Sequence, residues 1–267
     1  MAGTTTRRAV VRAAADSASL ASVPDDIAVE APLVLVLGGE PVATLMRTPG
    51  HDIELAAGWL VVESGVAAQG DVTILRQCRD RASDLDQVHI ALTAGVRPPR
   101  PRAYVTSAAC GVCSTDVLDL ALLRPAAPHS RGWTVSRSVV AALPEAMRIQ
   151  QRAFARTGAV HAAALADAEG NLLVVREDVG RHNAVDKVVG KTLLDGGLPA
   201  TDHLLVVSGR VSFEIVQKAV AAGVAGIVAV SAPSSLAVDL AREYGLLLAG
   251  MVRGGALNVY AGDALLN

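Results

Sequence analysis

The sequence is poor in several things that common functions require. Aromatic residues make up 3% of its 267 positions. That is too few for the exposed stacking platforms on which proteins hold single-stranded nucleic acid. Neither sign of charge is in excess: 24 basic residues stand against 26 acidic ones. Bulk electrostatics therefore recruits neither nucleic acid nor an anionic membrane, and any bound anion must be held by a local cluster. No apolar run approaches the roughly 18–20 residues of a membrane-spanning helix. The first 24 residues, with Arg7, Arg8 and Arg12 among Ala, Ser and Thr, lack the continuous apolar stretch of an export signal. They read as a flexible tail. Cysteine occurs three times, which excludes a secreted disulfide scaffold and points to a reducing cytoplasm.

Two of those cysteines form the pair Cys110-Gly111-Val112-Cys113. The pair lies between an extended run, residues 103–106, and a helix-like run, residues 117–122. A thiol just before a helix start faces unpaired backbone N–H groups, which favour the thiolate. Two such thiols can carry sulfur, cycle through a disulfide or supply half of a metal site. Cys78 sits in a charged segment with no partner at informative spacing and reads as incidental.

Apolar patterning divides the chain. Residues 32–37 and 42–46, joined by Gly38-Gly39-Glu40-Pro41, read as a pair of strands. Residues 52–63 carry helical spacing, and 72–77 and 88–92 are further strands. The proline-rich stretch 97–102 marks a domain boundary. The expectation is a flexible tail (1–24), a β-rich amino-terminal domain (25–102) and a larger α/β domain (103–267), α+β overall. In the second half, an amphipathic helix is expected over 144–156 and a hairpin over 160–175. Helices at 184–194, 213–222 and 235–244 then alternate with short apolar strands at 204–207, 227–230 and 246–252. That alternation predicts a largely parallel sheet covered on both faces.

Ligands of open α/β sheets bind beyond the carboxyl ends of the strands. Three polar clusters occupy such positions. Ser208-Gly209-Arg210 leads to Ser212 and Glu214 at a helix start, suited to an anion, although a capped turn with a solvated Arg explains it equally well. Arg253-Gly254-Gly255 is a phosphate cradle or a plain hairpin turn, the plain turn being the simpler reading alone. The densest cluster, Glu177 to Lys187, places Arg181, His182, Asn183, Asp186 and Lys187 together. His182 and Asp186 are four apart, as are Asn183 and Lys187. This density exceeds what solubility demands, and a salt-bridged surface turn is the alternative. His161, inside an apolar strand, reads by itself as a satisfied, partly buried histidine.

In order, these segments resemble the formate dehydrogenase accessory sulfurtransferase family of the FdhD/NarQ type. The matching stretches are residues 47–60 (RTPGHDIELAAGWL), Cys110 to Cys113, 157–163 (TGAVHAA), 177–187 (EDVGRHNAVDK), 208–214 (SGRVSFE) and 253–260 (RGGALNVY). The resemblance implies a cytoplasmic homodimer. It implies that sulfane sulfur from a cysteine desulfurase travels as a persulfide on Cys110. The recipient is a molybdenum cofactor bearing two guanine dinucleotides, a bound substrate that is then inserted into apo-formate dehydrogenase. The family's cofactor-binding stretch falls on Met251, Val252, Arg253, Gly254, Gly255 and Ala256. Members often begin it with Phe and carry a second basic residue near its end, where this chain has Met251 and Ala256. The larger domain is expected to have the three-layer fold of cytidine deaminases.

The residues fit that chemistry. Sulfur transfer needs an exposed low-pKa thiolate, and a second thiol such as Cys113 can resolve the first. Arg181, Arg210 and Arg253 supply a local anion site. Deamination is excluded by pattern: Ala163 stands where an H-x-E motif needs Glu, and no Pro precedes Cys110. A structural zinc site lacks two of its four ligands. A thioredoxin-like dithiol oxidoreductase lacks its βαβ frame around the CxxC. A non-catalytic chaperone for the cofactor remains as the other reading.

Overall fold

The computed structural model describes residues 3–15, 20–99 and 132–267. The chain opens with an antiparallel ribbon, β1 (Thr5–Ala13) paired with β2 (Leu20–Ala28). The expected flexible tail is thus largely strand. Its pairing is backbone-driven and mostly exposed, so it leaves no apolar alternation to read. An ion pair, Arg156 Nη2 to Asp26 Oδ2 at 3.0 Å, ties the ribbon to the second half.

β3 (Ala31–Leu37), β4 (Glu40–Arg47), β5 (Val72–Arg79) and β6 (Asp86–Leu92) form a four-stranded sheet in the order β4-β3-β6-β5. Between β4 and β5 runs α1 (Asp52–Ser64), which ends on Gly65 in the left-handed conformation. Leu33, Leu35, Val42, Leu45, Val88 and Ile90 from this sheet are buried in one cluster with Leu55, Ala56, Trp59 and Leu60 of α1.

The second half contains α2 (Arg137–Gln150), α3 (Arg152–Thr157), β7 (His161–Ala166), β8 (Leu172–Asp178), α4 (Arg181–Leu194) and β9 (Leu204–Val207). It continues with α5 (Phe213–Ala222), β10 (Gly226–Ala229), α6 (Ser235–Glu243), β11 (Leu247–Arg253) and β12 (Ala256–Ala261). The amphipathic helix expected over 144–156 is two helices. The first starts seven residues before Pro144, at a Ser136 cap whose Oγ accepts from Val139 N. Pro144 is buried inside α2, where packing against the sheet overrides its poor propensity. The break falls at the buried Gln151.

The six-stranded sheet has the order β12-β11-β10-β9-β7-β8. The β9–β10–β11 core is parallel, whereas β7 runs antiparallel to both β8 and β9, and β12 antiparallel to β11. The sheet is mixed rather than largely parallel, because the β7–β8 hairpin inserts its first strand beside β9. Strand alternation divides its side chains between two layers. Ala162, Ala164, Val206, Val228 and Leu247 face α2, whereas Ala163, Leu165, Leu205, Ile227 and Leu248 face the α4–α5–α6 side.

The two halves share that second layer. α1 crosses α4 at backbone contact: a Cβ on Gly58 would lie 1.9 Å from Asp186 O, and one on Gly190 only 1.8 Å from Glu54 O. A single apolar cluster therefore runs from the small sheet through α1 and α4 to the large one. The boundary expected at 97–102 lies partly outside the described residues.

Two predictions follow from this junction. Gly to Ala in a helix interior ordinarily stabilises by about 1 kcal/mol. Gly190→Ala should instead destabilise by about 1–3 kcal/mol in urea denaturation through steric overpacking, and a gain in stability would refute the close crossing. The second concerns Glu54, whose Oε1 accepts from Arg176 Nη2 at 2.9 Å and whose Oε2 lies 3.3 Å from His51 Nδ1. Burial alone would raise this carboxyl, but Arg176 and His51 outweigh it and hold it at about 2, against an ordinary 4.5. A depressed folded-state pKa stabilises fully above the unfolded value and fades as pH falls toward the folded one. The urea midpoint of Glu54→Gln should therefore change less than that of the wild type between about pH 4.5 and about pH 2.

Candidate functional site

Strand direction assembles the site. β8, β9, β10 and β11 all run the same way, so the segments that follow them gather at one edge of the sheet. Because β7 runs the other way, its first residue reaches that same edge: His161 pairs in register with Asp178, and Ala163 with Val207. The edge opens into a cleft of about 510 Å³. One wall is α2–α3, with Pro144, Glu145, Met147, Arg148 and Phe154; the other carries His161, Ser208, Val252, Arg253 and Gly254. The Arg148 guanidinium lies over the Phe154 ring, 4.5 Å from its centroid. Glu177 fixes this wall by accepting from Ala153 N at 2.9 Å and Phe154 N at 2.8 Å.

His161 is the residue that the sequence pattern undervalued. Ser208 Oγ accepts from Ala162 N at 2.9 Å and lies 3.4 Å from His161 Nδ1. A hydroxyl that accepts from an amide can still turn its own proton to Nδ1, the arrangement that goes with the Nε2–H tautomer. Gly209 permits the packing, because a Cβ there would lie 3.3 Å from His161 Nδ1 and 3.6 Å from Arg181 Cδ. Burial, followed by the charges of Arg181, His182 and Arg210, lowers the pKa of His161, while Asp178 opposes the shift.

Behind the cleft edge stands a cationic group. Arg181 begins α4, and its buried Nε has no hydrogen-bond partner among the described residues. Burial and the charge of Arg210 lower the pKa of Arg181, with Glu214 acting the other way. Arg210 is exposed in the loop after β9. His182 Nε2 lies 2.9 Å from Glu214 Oε2 and 3.2 Å from Ser212 Oγ. Ser212 is the N-cap residue of α5, but it makes no side-chain cap bond. Burial would raise Glu214, yet the hydrogen bond and charge of His182, aided by Lys218 and Arg181, bring it below its ordinary value.

The remaining residues of the 177–187 cluster face inward. Asp178, fully buried, pairs with Lys187 Nζ at 2.7 Å. It also accepts from Thr48 N, Gly180 N and Asn183 Nδ2. Lys187 donates to Thr48 O at 2.9 Å, and Asn183 Nδ2 to Met46 O at 2.8 Å. Asp186 pairs with Lys218 at 2.6 Å; burial pushes its carboxyl up, and Lys218 pulls it back. The expected face pairs His182–Asp186 and Asn183–Lys187 are thus replaced by partners on other elements. Asn183 and Lys187 hold the halves together, Asp186 ties α4 to α5, and none of the three lines the cleft.

The segment 251–256 is a hairpin. Gly254 (φ 57°) and Gly255 (φ 78°) make the tight turn between β11 and β12. Met251 is also left-handed, at φ 54°. Val252, Arg253 and Gly254 line the cleft, whereas Met251, Gly255 and Ala256 do not. Sequence patterning gave no sign of Arg148 and Phe154, because nothing in a helix's own periodicity says which turn faces a ligand. Cys110 and Cys113 lie outside the described residues. Cys78 is a half-buried free thiol on β5.

Comparison with known proteins places this geometry. A family model described as the FdhD/NarQ family matches residues 28–266. A sulfur carrier protein FdhD from Corynebacterium efficiens is 45% identical over 256 residues, covering 90% of each chain. One from Streptomyces coelicolor is 45% identical over 271 residues, covering 98% of this chain and 95% of its own. One from the archaeon Sulfolobus acidocaldarius is 40% identical over 241 residues, covering 90% of each. A crystal structure of a candidate formate dehydrogenase accessory protein from Desulfotalea psychrophila superposes with a TM-score of 0.79, covering 99% of this chain and 100% of that one; at 22% identity it speaks for the fold alone. With the family model matched over most of the chain and relatives this similar along their length, the chain belongs to the FdhD/NarQ family.

Proposed function

We propose that this chain is a cytoplasmic sulfur carrier that delivers sulfur, as a persulfide on Cys110, to a molybdenum cofactor bearing two guanine dinucleotides, before formate dehydrogenase receives it. The observation that carries this reading is Cys110-Gly-Val-Cys113 in a chain 45% identical over 256 residues to a protein named as a sulfur carrier. The desulfurase supplies the sulfane sulfur. Attack by the Cys110 thiolate forms the new S–S bond, and the electron pair of the broken bond leaves on the desulfurase cysteine. Attack by Cys113 on the Cys110 sulfur of the persulfide then expels sulfide and leaves a Cys110–Cys113 disulfide. The two thiols lose the two electrons that reduce the sulfane sulfur to the ligand's oxidation level.

The cleft suits the acceptor's nucleotide ends. One rim carries Arg253 and His161, with Arg181 and Arg210 near the histidine. The other wall sets Met147 and Phe154 beside Glu145, Arg148 and Gln151. On this reading Asn183, Asp186 and Lys187 serve the site by fixing the start of α4, and a homodimer would present two such clefts.

Incubation with a cysteine desulfurase and cysteine, followed by alkylation and peptide mass spectrometry, tests the carrier. A mass gain of one sulfur on the Cys110 peptide is expected. It should be lost in Cys110→Ala and accumulate in Cys113→Ala. Absence of the gain, with formate dehydrogenase activation intact in Cys110→Ala, would establish the chaperone reading instead. The cleft is tested with guanosine diphosphate as probe. Removing a charge-assisted contact costs about 1.5–3 kcal/mol, so Arg253→Ala should weaken binding about 10- to 100-fold and flatten its salt dependence. Unchanged affinity would remove the cleft from the reading.

A further inference from the structure

His161 carries one more inference, which rests on the reading of the cleft as an anion site. The Nδ1 edge of the ring is turned to Ser208 Oγ and Gly209. Nε2 is therefore the polar atom that the ring offers to the cleft it lines. Among the described residues the one hydrogen bond of the ring is that between Nδ1 and Ser208 Oγ. We propose that His161 is a ligand-contacting residue that takes up a proton when an anion enters the cleft.

The surroundings explain why uptake would wait for the ligand. From α4, Arg181 and His182 oppose a positive charge on the ring, and from the loop after β9 so does Arg210; across the strand pair, Asp178 on β8 favours it. Asp178 is already neutralised by Lys187 at 2.7 Å. Glu214 on α5 is bonded to His182. From the cleft walls, Glu145 and Arg148 of α2 and Arg253 of β11 also face the space. Burial lowers the pKa of His161 first, and this cationic background lowers it further. An anion offsets that background and accepts from the Nε2 proton, and both effects favour the protonated ring. The Ser208 hydroxyl can follow by rotating, since a protonated Nδ1 needs an acceptor where the neutral ring needed a donor.

The sign of the coupling is fixed by linkage. A group whose pKa rises on binding strengthens binding below its ligand-free pKa, and the advantage disappears above its ligand-bound pKa. For a rise of about one pH unit, affinity should be about tenfold higher at the acid end of that window than at the alkaline end.

The experiment uses the full chain with inorganic pyrophosphate as probe. The side-chain NMR signals of the histidines are followed against pH with and without saturating probe, and His161 is identified by the signal missing in His161→Gln. Calorimetric titrations in buffers of different ionisation enthalpy count the protons taken up by wild type and by H161Q, whose difference cancels the probe's own titration. The expected result is an upward move of the His161 midpoint by about one unit, with proton uptake in wild type that H161Q lacks. Glutamine keeps an N–H donor, so H161Q should still bind while losing most of the pH dependence. Binding in which the His161 midpoint stays put overturns this inference and leaves the anion site standing. Failure of pyrophosphate to bind the wild type overturns both. Should H161Q fail to fold, Ser208→Ala provides the assignment through the perturbed His161 signal, and the wild-type titration still decides.

Discussion

The buried Asp178 carboxylate is the interaction on which the rest of the structure hangs. It has no exposed surface, and it is held by Lys187, by two backbone amides and by the amide of Asn183. One of those amides, Thr48 N, belongs to the loop before α1, and the other, Gly180 N, to the start of α4. A single carboxylate thus joins the end of the small sheet's edge strand β4, the large sheet's edge strand β8 and the helix that leaves it. A buried ion pair contributes little net stability against an apolar replacement, but removing one partner strands the other charge and is costly. What the pair supplies here is registry: two halves with apolar faces could slide on each other, and these directional bonds admit one alignment.

Arg47 repeats the device on the other side of the same loop. Its guanidinium is fully buried, bonds Asp52 through Nε at 3.0 Å and Nη2 at 2.9 Å, and reaches Asp86 at 2.7 Å. Gln77 donates to the same Asp52 at 2.7 Å. The loop 48–51 is therefore pinned at both ends, by a cation bound to α1 and by an anion beside α4. The glycine contact between α1 and α4 then sets the distance that these bonds hold. Rigidity at this junction transmits directly to the cleft, because Arg181 and His182 occupy the first turn of the helix so fixed.

Much of this was legible in the residues. The helices at 213–222 and 235–243 carry clean 3.6-residue patterns, the helix at 52–64 is apolar on most sides, and all three have glycine or serine at their ends and lie within a residue or so of where the sequence puts them. The short β9 and β10 are apolar throughout and read as buried strands. Three things were not legible. The ribbon β1–β2 buries little, so its strands lack the alternation that burial imposes. The start of α2 was hidden because Pro144 sits inside the helix. The direction of β7 depends on which strand it pairs with, and residue pattern is blind to pairing. That last point also decided the site: without the reversal of β7, His161 would stand at the opposite edge and keep its bland interpretation. Conversely, the dense polar run 177–187 suggested ligand contact, yet half of it is structural, because a sequence records that charges are adjacent and not which way they turn.

The reversal of β7 has a consequence for how this protein tolerates change. His161 is delivered by the beginning of a strand, so its position is set by ladder register and not by loop length. The turn at 167–171 lies at the far end of the hairpin, and residues added there lengthen a loop without moving the histidine. A slip of one residue along β7 would do the opposite: it would turn His161 toward the other face of the sheet and bring an alanine to the cleft. The run of alanines behind His161 offers few side-chain shapes to resist such a slip. Resistance must come from the bulged end of β7, where register shifts between Leu165 and Ala166, and from the Ser208 hydroxyl that holds the Ala162 amide. Chemistry at one end of this strand is thus guarded by an irregularity at the other.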